Sequence, residues 1–120
     1  MKLFAILVFA AACGGSPTGS TCPTDNPPTY ASFGQQFFAT YCNGCHSANA
    51  ANRHGAPGDQ NYDTEADIQD HADDIDEQAA SGPAATNTSM PDLSGPVRMQ
   101  PSMAERVQLG QFLACEKAAP

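Results

Sequence analysis

Two cysteines and a histidine stand close together in the chain, as Cys42-Asn43-Gly44-Cys45-His46. Thiols at this spacing, followed directly by an imidazole, are typical of c-type haem attachment: both thiols form thioether bonds with the porphyrin, and the imidazole binds iron. The same residues would also suit a thioredoxin-like dithiol or half of a zinc site. A dithiol is expected near a βαβ pattern and a zinc site needs four ligands, and the sequence offers neither context. The motif therefore predicts one covalently bound haem c.

The hydrophobic pattern predicts two helices that would position this motif. Phe33, Phe37, Phe38 and Tyr41 recur at helical spacing and predict a helix over 33–41 that delivers Cys42 to the haem. A second helix is predicted over 64–80, where apolar residues form one stripe among acids. Thr64 and Asp67 can cap its start, and Gly82-Pro83 follows its end.

A third helix is predicted near the carboxyl end of the chain. Ser102 and Glu105 form a capping box, and the apolar side chains that follow are Val107, Leu109, Phe112 and Leu113. Gly110 would weaken this helix, so either another backbone passes close to it or the glycine is simply tolerated. Three helices around a haem make an all-α fold the expectation.

These elements resemble the class I cytochrome c family from about residue 33 to residue 115. The family's first helix carries a glycine, an aromatic residue four positions later and the first haem cysteine four further, as Gly34, Phe38 and Cys42 do here. Its last helix crosses the first at that glycine with an aliphatic residue and an aromatic three positions apart, which Leu109 and Phe112 match. The resemblance implies a cytochrome c-like bundle of about three helices.

The resemblance also implies a second iron ligand. Class I proteins use a methionine in the loop before the last helix, often followed by proline, and Met90-Pro91 fits this description. Pro91 disfavours helix at Met90, so a loop could lay that side chain against the haem. His46 and Met90 are thus the expected metal ligands.

The competing candidates for the second ligand are Met99, Met103, His54 and His71. Of these, Met103 is expected in the core and His71 on the surface. His54 is expected to be too near the motif to reach the opposite face of the haem.

Pro57 matches a further feature of the family. Class I proteins place a proline about a dozen residues after the haem histidine, and its carbonyl accepts the imidazole N–H. The segment Gly55-Ala56-Pro57-Gly58 fits, although any Gly/Pro turn would look similar. The resemblance implies that Pro57 supports His46 in this way.

The amino terminus has the pattern of an export signal. Lys2 precedes an apolar run that is too short to span a bilayer, and Cys13-Gly14-Gly15-Ser16 follows at once. The run resembles a bacterial lipoprotein signal, which implies acylation of Cys13, although Ala10 departs from the usual leucine and Ala10-Ala11-Ala12 also suits ordinary cleavage. We expect a signal peptide at 1–12, a flexible tether at 13–28 that is rich in Gly, Ser, Thr and Pro, and a cytochrome c domain at 29–120. The expected location is the periplasmic side of the bacterial envelope, with a lipid anchor at Cys13 and no transmembrane helix.

The remaining cysteines are expected to pair. With Cys13 assigned to the lipid and Cys42 and Cys45 to the haem, Cys22 and Cys115 are left at the two ends of the domain. An exported protein enters an oxidising compartment, so a disulfide is the expectation and two free thiols are the alternative.

The charge of the chain limits its partners. Its 13 acidic and 5 basic residues give a formal charge of −8, which argues against nucleic acid because that partner requires a basic surface. Nine acids fall within residues 59–77 and predict one negative face. Such a face either keeps a helix solvated or docks a basic redox partner.

The haem motif, together with the ligand pair that the resemblance implies, predicts an electron carrier rather than an enzyme. An iron with both axial positions filled by the protein would cycle between ferrous and ferric forms without readily binding oxygen or peroxide. The alternatives are the cytochrome subunit of an oxidoreductase or peroxidase complex, and a haem-based sensor. Bacterial cytochrome peroxidases carry two attachment motifs, whereas this chain has one, and a sensor needs an exchangeable sixth position.

Overall fold

Every regular element in the described part of the chain, residues 15–97 and 99–119, is helical in the computed structural model. A π-helical turn at Tyr30–Gly34 leads into α1, Gln35–Tyr41. Two short helices follow, α2 at Glu65–Asp70 and α3 at Ala72–Ala79, and the longest helix is α4, Met103–Ala118. The predicted all-α class is confirmed.

Local side-chain bonds explain where the helices begin. Ser102 and Glu105 form the predicted capping box of α4, and Thr64 and Asp67 form that of α2. A third box, which was not predicted, joins Thr29 to Ser32 and starts the π-helical turn. The first helical segment therefore begins at Tyr30 rather than at Phe33.

The helix predicted over 64–80 is interrupted at His71. This residue has φ −114° and ψ 16°, outside the helical region, and it separates α2 from α3. Its ring packs edge-on against Tyr62, with the centroids 5.9 Å apart. The prediction of one continuous helix was wrong because His71 makes a tertiary contact that periodicity does not reveal.

The first helical segment meets α4 at Gly34, as the resemblance implied. A Cβ atom at Gly34 would lie 2.6 Å from Cζ of Phe112, so only glycine allows this approach. Phe112 and Leu109 are both fully buried. They join a core made of aromatic and aliphatic side chains from all the helical segments and from the loops beside them: Phe33, Phe37, Phe38, Tyr41, Tyr62, Ile68, Ala72, Ile75, Ala79, Ala80, Leu109, Phe112 and Leu113.

The segment 16–22, which we call the N-terminal strap, is packed against the helices. Asp76 is buried on α3 and accepts hydrogen bonds from the Thr18 amide and the Ser16 hydroxyl, both at 2.7 Å. Ser20 lies against Gly110 of α4, where a Cβ atom would collide with it. The predicted flexible tether is therefore wrong for these residues, because composition does not show that a buried carboxylate binds them.

The strap ends at a covalent link to α4. The sulfurs of Cys22 and Cys115 are 1.99 Å apart and their Cα atoms 4.6 Å apart, which is disulfide geometry. Gly110, five residues before Cys115 in α4, is a site of close backbone approach rather than a tolerated glycine. The amino-terminal segment and the last helix form one packed unit.

The buried face of α4 differs from the predicted one at its beginning. Met103 is 53% exposed, so its predicted core position is wrong, and Val107 is exposed as well. Arg106 is buried instead. Its guanidinium group donates to main-chain carbonyls, which compensates the loss of hydration that would otherwise keep a charge at the surface.

The predicted signal peptide at 1–12 and the predicted acylation site Cys13 lie outside the described residues. Within the described ranges, no helix has the length and apolar character needed to cross a membrane.

Candidate functional site

Cys42, Cys45 and His46 lie on a tight turn that continues from the end of α1. The Cys42 amide donates to the Phe38 carbonyl at 3.0 Å. The Cys42 carbonyl accepts from the amides of Cys45 and His46, at 3.2 and 2.9 Å. These bonds fix the backbone of the whole motif, so the two thiols and the imidazole are presented by one rigid turn.

The three residues line a cavity of about 470 Å³. Apolar side chains from α1, α3 and the loop before α4 form much of its wall; they are Phe37, Tyr41, Ile75, Ala79, Met90 and Val97. Sites for cofactors and other small molecules have volumes of roughly 300–1,000 Å³ and a similar character, mostly apolar with a few placed polar groups. The cavity can therefore accept a largely apolar cofactor beside the motif.

Neither cysteine of the motif is in a disulfide. Burial, with a smaller contribution from the nearby Cys45, raises the pKa of the Cys42 thiol to about 12. A dithiol of the thioredoxin type reacts through a thiolate, which this environment disfavours at neutral pH. Thioether formation leaves neutral sulfur, which burial does not disfavour.

His46 is oriented through one of its ring nitrogens. Nδ1 lies 2.8 Å from the main-chain carbonyl oxygen of Gln60, so the tautomer with the proton on Nδ1 satisfies this contact. Burial lowers the pKa of His46, although the bond to Gln60 acts in the opposite direction. The ring is thus favoured in its neutral form, and its other nitrogen, Nε2, retains a lone pair for a metal.

The prediction that Pro57 accepts the His46 N–H was wrong in this structure, because Gln60 has that role. The Pro57 carbonyl accepts instead from Arg53 Nη2 at 2.5 Å and from the Gln60 amide at 3.1 Å. These two hydrogen bonds hold the Pro57 carbonyl within the loop, so it is not the acceptor of the His46 N–H. Pro57 itself still lines the cavity.

Arg53 is a site residue that the sequence did not reveal. A guanidinium group has five N–H donors, and each of them has an acceptor here. The five bonds all stay within the loop that follows the motif: Nε to Ala56 O (3.3 Å), Nη1 to Ser47 O (2.7 Å) and Asn61 Oδ1 (2.6 Å), and Nη2 to Pro57 O (2.5 Å) and Gln60 O (3.2 Å). A lone arginine among Asn, Gly and Pro gives no sequence signal for such a role, because its acceptors are main-chain carbonyls of a loop.

Met90, the expected second ligand, lies on the cavity wall. Its side chain is 38% exposed and its backbone is held at both ends. The Met90 amide donates to Gln78 O at 3.0 Å, and its carbonyl accepts from Arg106 Nη1 at 2.9 Å. The loop is therefore attached to α3 and α4 while the thioether sulfur remains available.

The other candidates for a second ligand separate into two groups. Met99, at 64% exposed, Met103 and His71 are not among the residues that line the cavity. His54 does line it, with a backbone φ of +50°, although it was expected to be too near the motif. In the described part of the chain, Met90 and His54 are thus the two candidates on the cavity.

The predicted negative surface is present on and before α2 and α3. Most acids of this region are exposed: Asp59, Asp63, Glu65, Asp70, Asp73, Asp74 and Glu77. Asp67 is half-buried in its helix cap, and Asp76 is buried beneath the strap. Lys117 of α4 pairs with Asp73 at 2.6 Å.

Among the described residues, no group of three or more His, Cys, Asp or Glu side chains has the arrangement of a metal site. Compared with protein families, curated proteins and solved structures, the chain gives no match.

Proposed function

We propose that this protein is a monohaem c-type cytochrome that carries single electrons between redox partners in the bacterial cell envelope. The observation that carries the proposal is the position of Cys42, Cys45 and His46, held by one turn on the wall of an apolar cavity that Met90 also lines. This set of donors suits haem c: two thiols for thioether bonds, a neutral imidazole and a thioether sulfur.

Each residue has a distinct part in the proposed site. Cys42 and Cys45 would hold the porphyrin covalently, and His46 and Met90 would bind its iron. The bound haem would supply a ferrous–ferric couple, and ligation by His and Met raises its potential relative to ligation by two histidines. The chain's part is to fix the His46 ring through Gln60, to surround the haem with apolar side chains, and to keep both ligand loops rigid.

The carrier function is favoured over catalysis by the two ligand loops. The Met90 loop is bound at its backbone by Gln78 and Arg106, so its sulfur is restrained near the cavity. With His46 and Met90 both bound to it, the iron would have no open position for a substrate. The exposed acids of α2 and α3 add a surface to which a basic redox partner would be attracted.

We place the protein at the periplasmic side of the envelope, held by a lipid on Cys13. In the sequence only Gly14 and Gly15 separate Cys13 from Ser16, which is bound to Asp76. Three residue steps span at most roughly 10 Å, so an anchored domain would lie close to the bilayer. Replacement of Cys13 by Ser should move the protein from the membrane fraction to the soluble fraction; an unchanged distribution would argue against the anchor.

Acid–acetone extraction tests the proposed function, because thioether bonds retain haem that other contacts release. Protein expressed with a cytochrome c maturation system should keep its haem in the protein pellet and lose that retention in Cys42→Ser, Cys45→Ser double variants. The matched control is Cys22→Ser, Cys115→Ser, which removes the same number of sulfurs elsewhere and should keep the haem. Fully extractable haem, or bound zinc in its place, would contradict the proposal.

A further inference from the structure

Arg53 and His46 share one acceptor, the main-chain carbonyl of Gln60. His46 Nδ1 lies 2.8 Å from this oxygen and Arg53 Nη2 lies 3.2 Å from it. The other donors of Arg53 bind the chain on both sides of Gln60, at Pro57 and at Asn61. The position of the carbonyl that orients His46 is therefore set by Arg53.

The guanidinium group of Arg53 is committed to the protein itself. All five of its N–H groups have acceptors within the loop, so none is available to bind an anion in the cavity. Its positive charge nevertheless stays beside the site. Of the side chains that line the cavity, all of them in the described ranges, Arg53 is the one Arg or Lys.

We infer that Arg53 is a positioning residue that raises the reduction potential of the haem held by His46, an inference that rests on the proposed function. Two effects of Arg53 act in the same direction. A carbonyl that already accepts from a guanidinium is a weaker acceptor for the His46 N–H, so the imidazole donates less electron density to iron. The fixed charge also opposes the ferric form, which carries one more positive charge than the ferrous form.

The experiment compares variants of the covalent holoprotein by redox titration. At an ambient potential equal to the wild-type midpoint, the ferric to ferrous ratio is one in the wild type. In Arg53→Gln, which removes the charge and most of the donors, we expect this ratio to rise about tenfold, equivalent to about 59 mV for a one-electron couple. In Arg53→Lys, which keeps the charge but cannot reproduce the planar fork, the rise should be smaller but more than twofold.

Lys117→Gln is the matched control, because it removes the same charge from α4, where Lys117 pairs with Asp73 outside the cavity. In Lys117→Gln the ferric to ferrous ratio at the wild-type midpoint should stay within twofold of one. The inference is overturned if Arg53→Gln also stays within twofold, or if Lys117→Gln changes the ratio as much. Should Arg53→Gln yield no folded holoprotein, Arg53→Lys decides alone, and a ratio within twofold of one overturns the inference.

Failure of this inference is distinguishable from failure of the proposed function. If the wild type retains no haem after acid–acetone extraction, the proposed function fails and Arg53 has no haem to act on. If haem is retained and the Arg53 variants titrate like the wild type, the function stands and Arg53 is only a structural residue of the loop.

Discussion

Arg106 of α4 donates a hydrogen bond from Nη1 to the main-chain carbonyl of Met90 at 2.9 Å. The same nitrogen donates to Ala79 O at 2.8 Å and to Asn87 O at 3.1 Å, and Nη2 binds the Gln100 side chain. Only 2% of the Arg106 surface is exposed. One buried cation therefore ties the loop that carries the expected second ligand to two helices.

Replacing Arg106 with Met should destabilise the protein, because it leaves buried carbonyls without a donor. Each polar group that loses its partner in a buried place costs about 1–3 kcal/mol, so we expect a loss of at least this size in the free energy of unfolding. Urea denaturation measures it. Gln108→Met places the same side chain at an exposed position of α4 and should change the stability by less than about 0.5 kcal/mol. Equal effects of the two substitutions would contradict the role of Arg106.

Gly34 provides a test of the contact between the first helical segment and α4. Alanine suits the local backbone, which has φ −58° and ψ −51°, but its Cβ would lie 2.6 Å from Cζ of the buried Phe112. Overpacking of a core costs about 1–3 kcal/mol, and the better helix propensity of alanine offsets at most about 1 kcal/mol of this. We therefore expect Gly34→Ala to lower the thermal midpoint.

Gly58→Ala is the control for that substitution. No atom lies within 4 Å of a Cβ placed at Gly58, and its φ is not in the left-handed region. Its thermal midpoint should match that of the wild type or rise slightly, because alanine reduces the freedom of the unfolded chain. If Gly34→Ala were as stable as Gly58→Ala, the close approach of Phe112 would be excluded.

The link between Cys22 and Cys115 closes a loop with a sequence separation of 93 residues. In the chain-entropy model a cross-link of this length stabilises by roughly 4–5 kcal/mol, and less where haem already constrains the unfolded chain. The double variant Cys22→Ser, Cys115→Ser should unfold at lower urea concentration than the wild type. Adding dithiothreitol to the wild type should reproduce this shift but leave the variant unchanged. Coincident unfolding curves for oxidised and reduced wild type would contradict the prediction.

The starts of the later helices could be predicted from the sequence because their causes are local. Thr64 with Asp67 and Ser102 with Glu105 lie three residues apart and cap their helices without help from the rest of the chain. The crossing at Gly34 was also predictable, although only through a resemblance, since no local rule names Phe112 as its neighbour.

The parts that the sequence did not reveal depend on hydrogen bonds whose partners cannot be identified from residue type. Asp76 reads as one more surface acid, yet it is buried and binds Thr18, 58 residues away. Arg53 and Arg106 bind mainly main-chain carbonyls, which every residue possesses and which leave no mark in a sequence. The acceptor for His46 was missed for the same reason: Pro57 and Gln60 both offer a carbonyl, Arg53 donates to both, and residue type does not distinguish them.

The identity of the second ligand decides between carrier and catalyst, and Met90 is the candidate favoured by the loop that holds it. In Met90→Ala the ferric protein should lose the sulfur-to-iron charge-transfer absorption at the red end of the spectrum, and the ferrous protein should bind carbon monoxide. Met99→Ala should leave both properties unchanged, because Met99 is 64% exposed and away from the cavity wall. Optical spectra with and without carbon monoxide measure both properties.

Two further variants separate Met90 from His54, which also lines the cavity. His54→Ala should retain the charge-transfer absorption, because this absorption comes from the sulfur of Met90 and not from a histidine. Met90→His should keep six-coordinate iron but lower its potential, because the identity of the axial ligand moves haem potentials within a span of about 0.8 V. If the ferrous form of His54→Ala or Met99→Ala binds carbon monoxide while Met90→Ala has the spectra of the wild type, the second ligand is reassigned and the carrier function stands. Rapid binding of carbon monoxide by the ferrous wild type would instead overturn the carrier function and favour the sensor, because it requires an exchangeable sixth position.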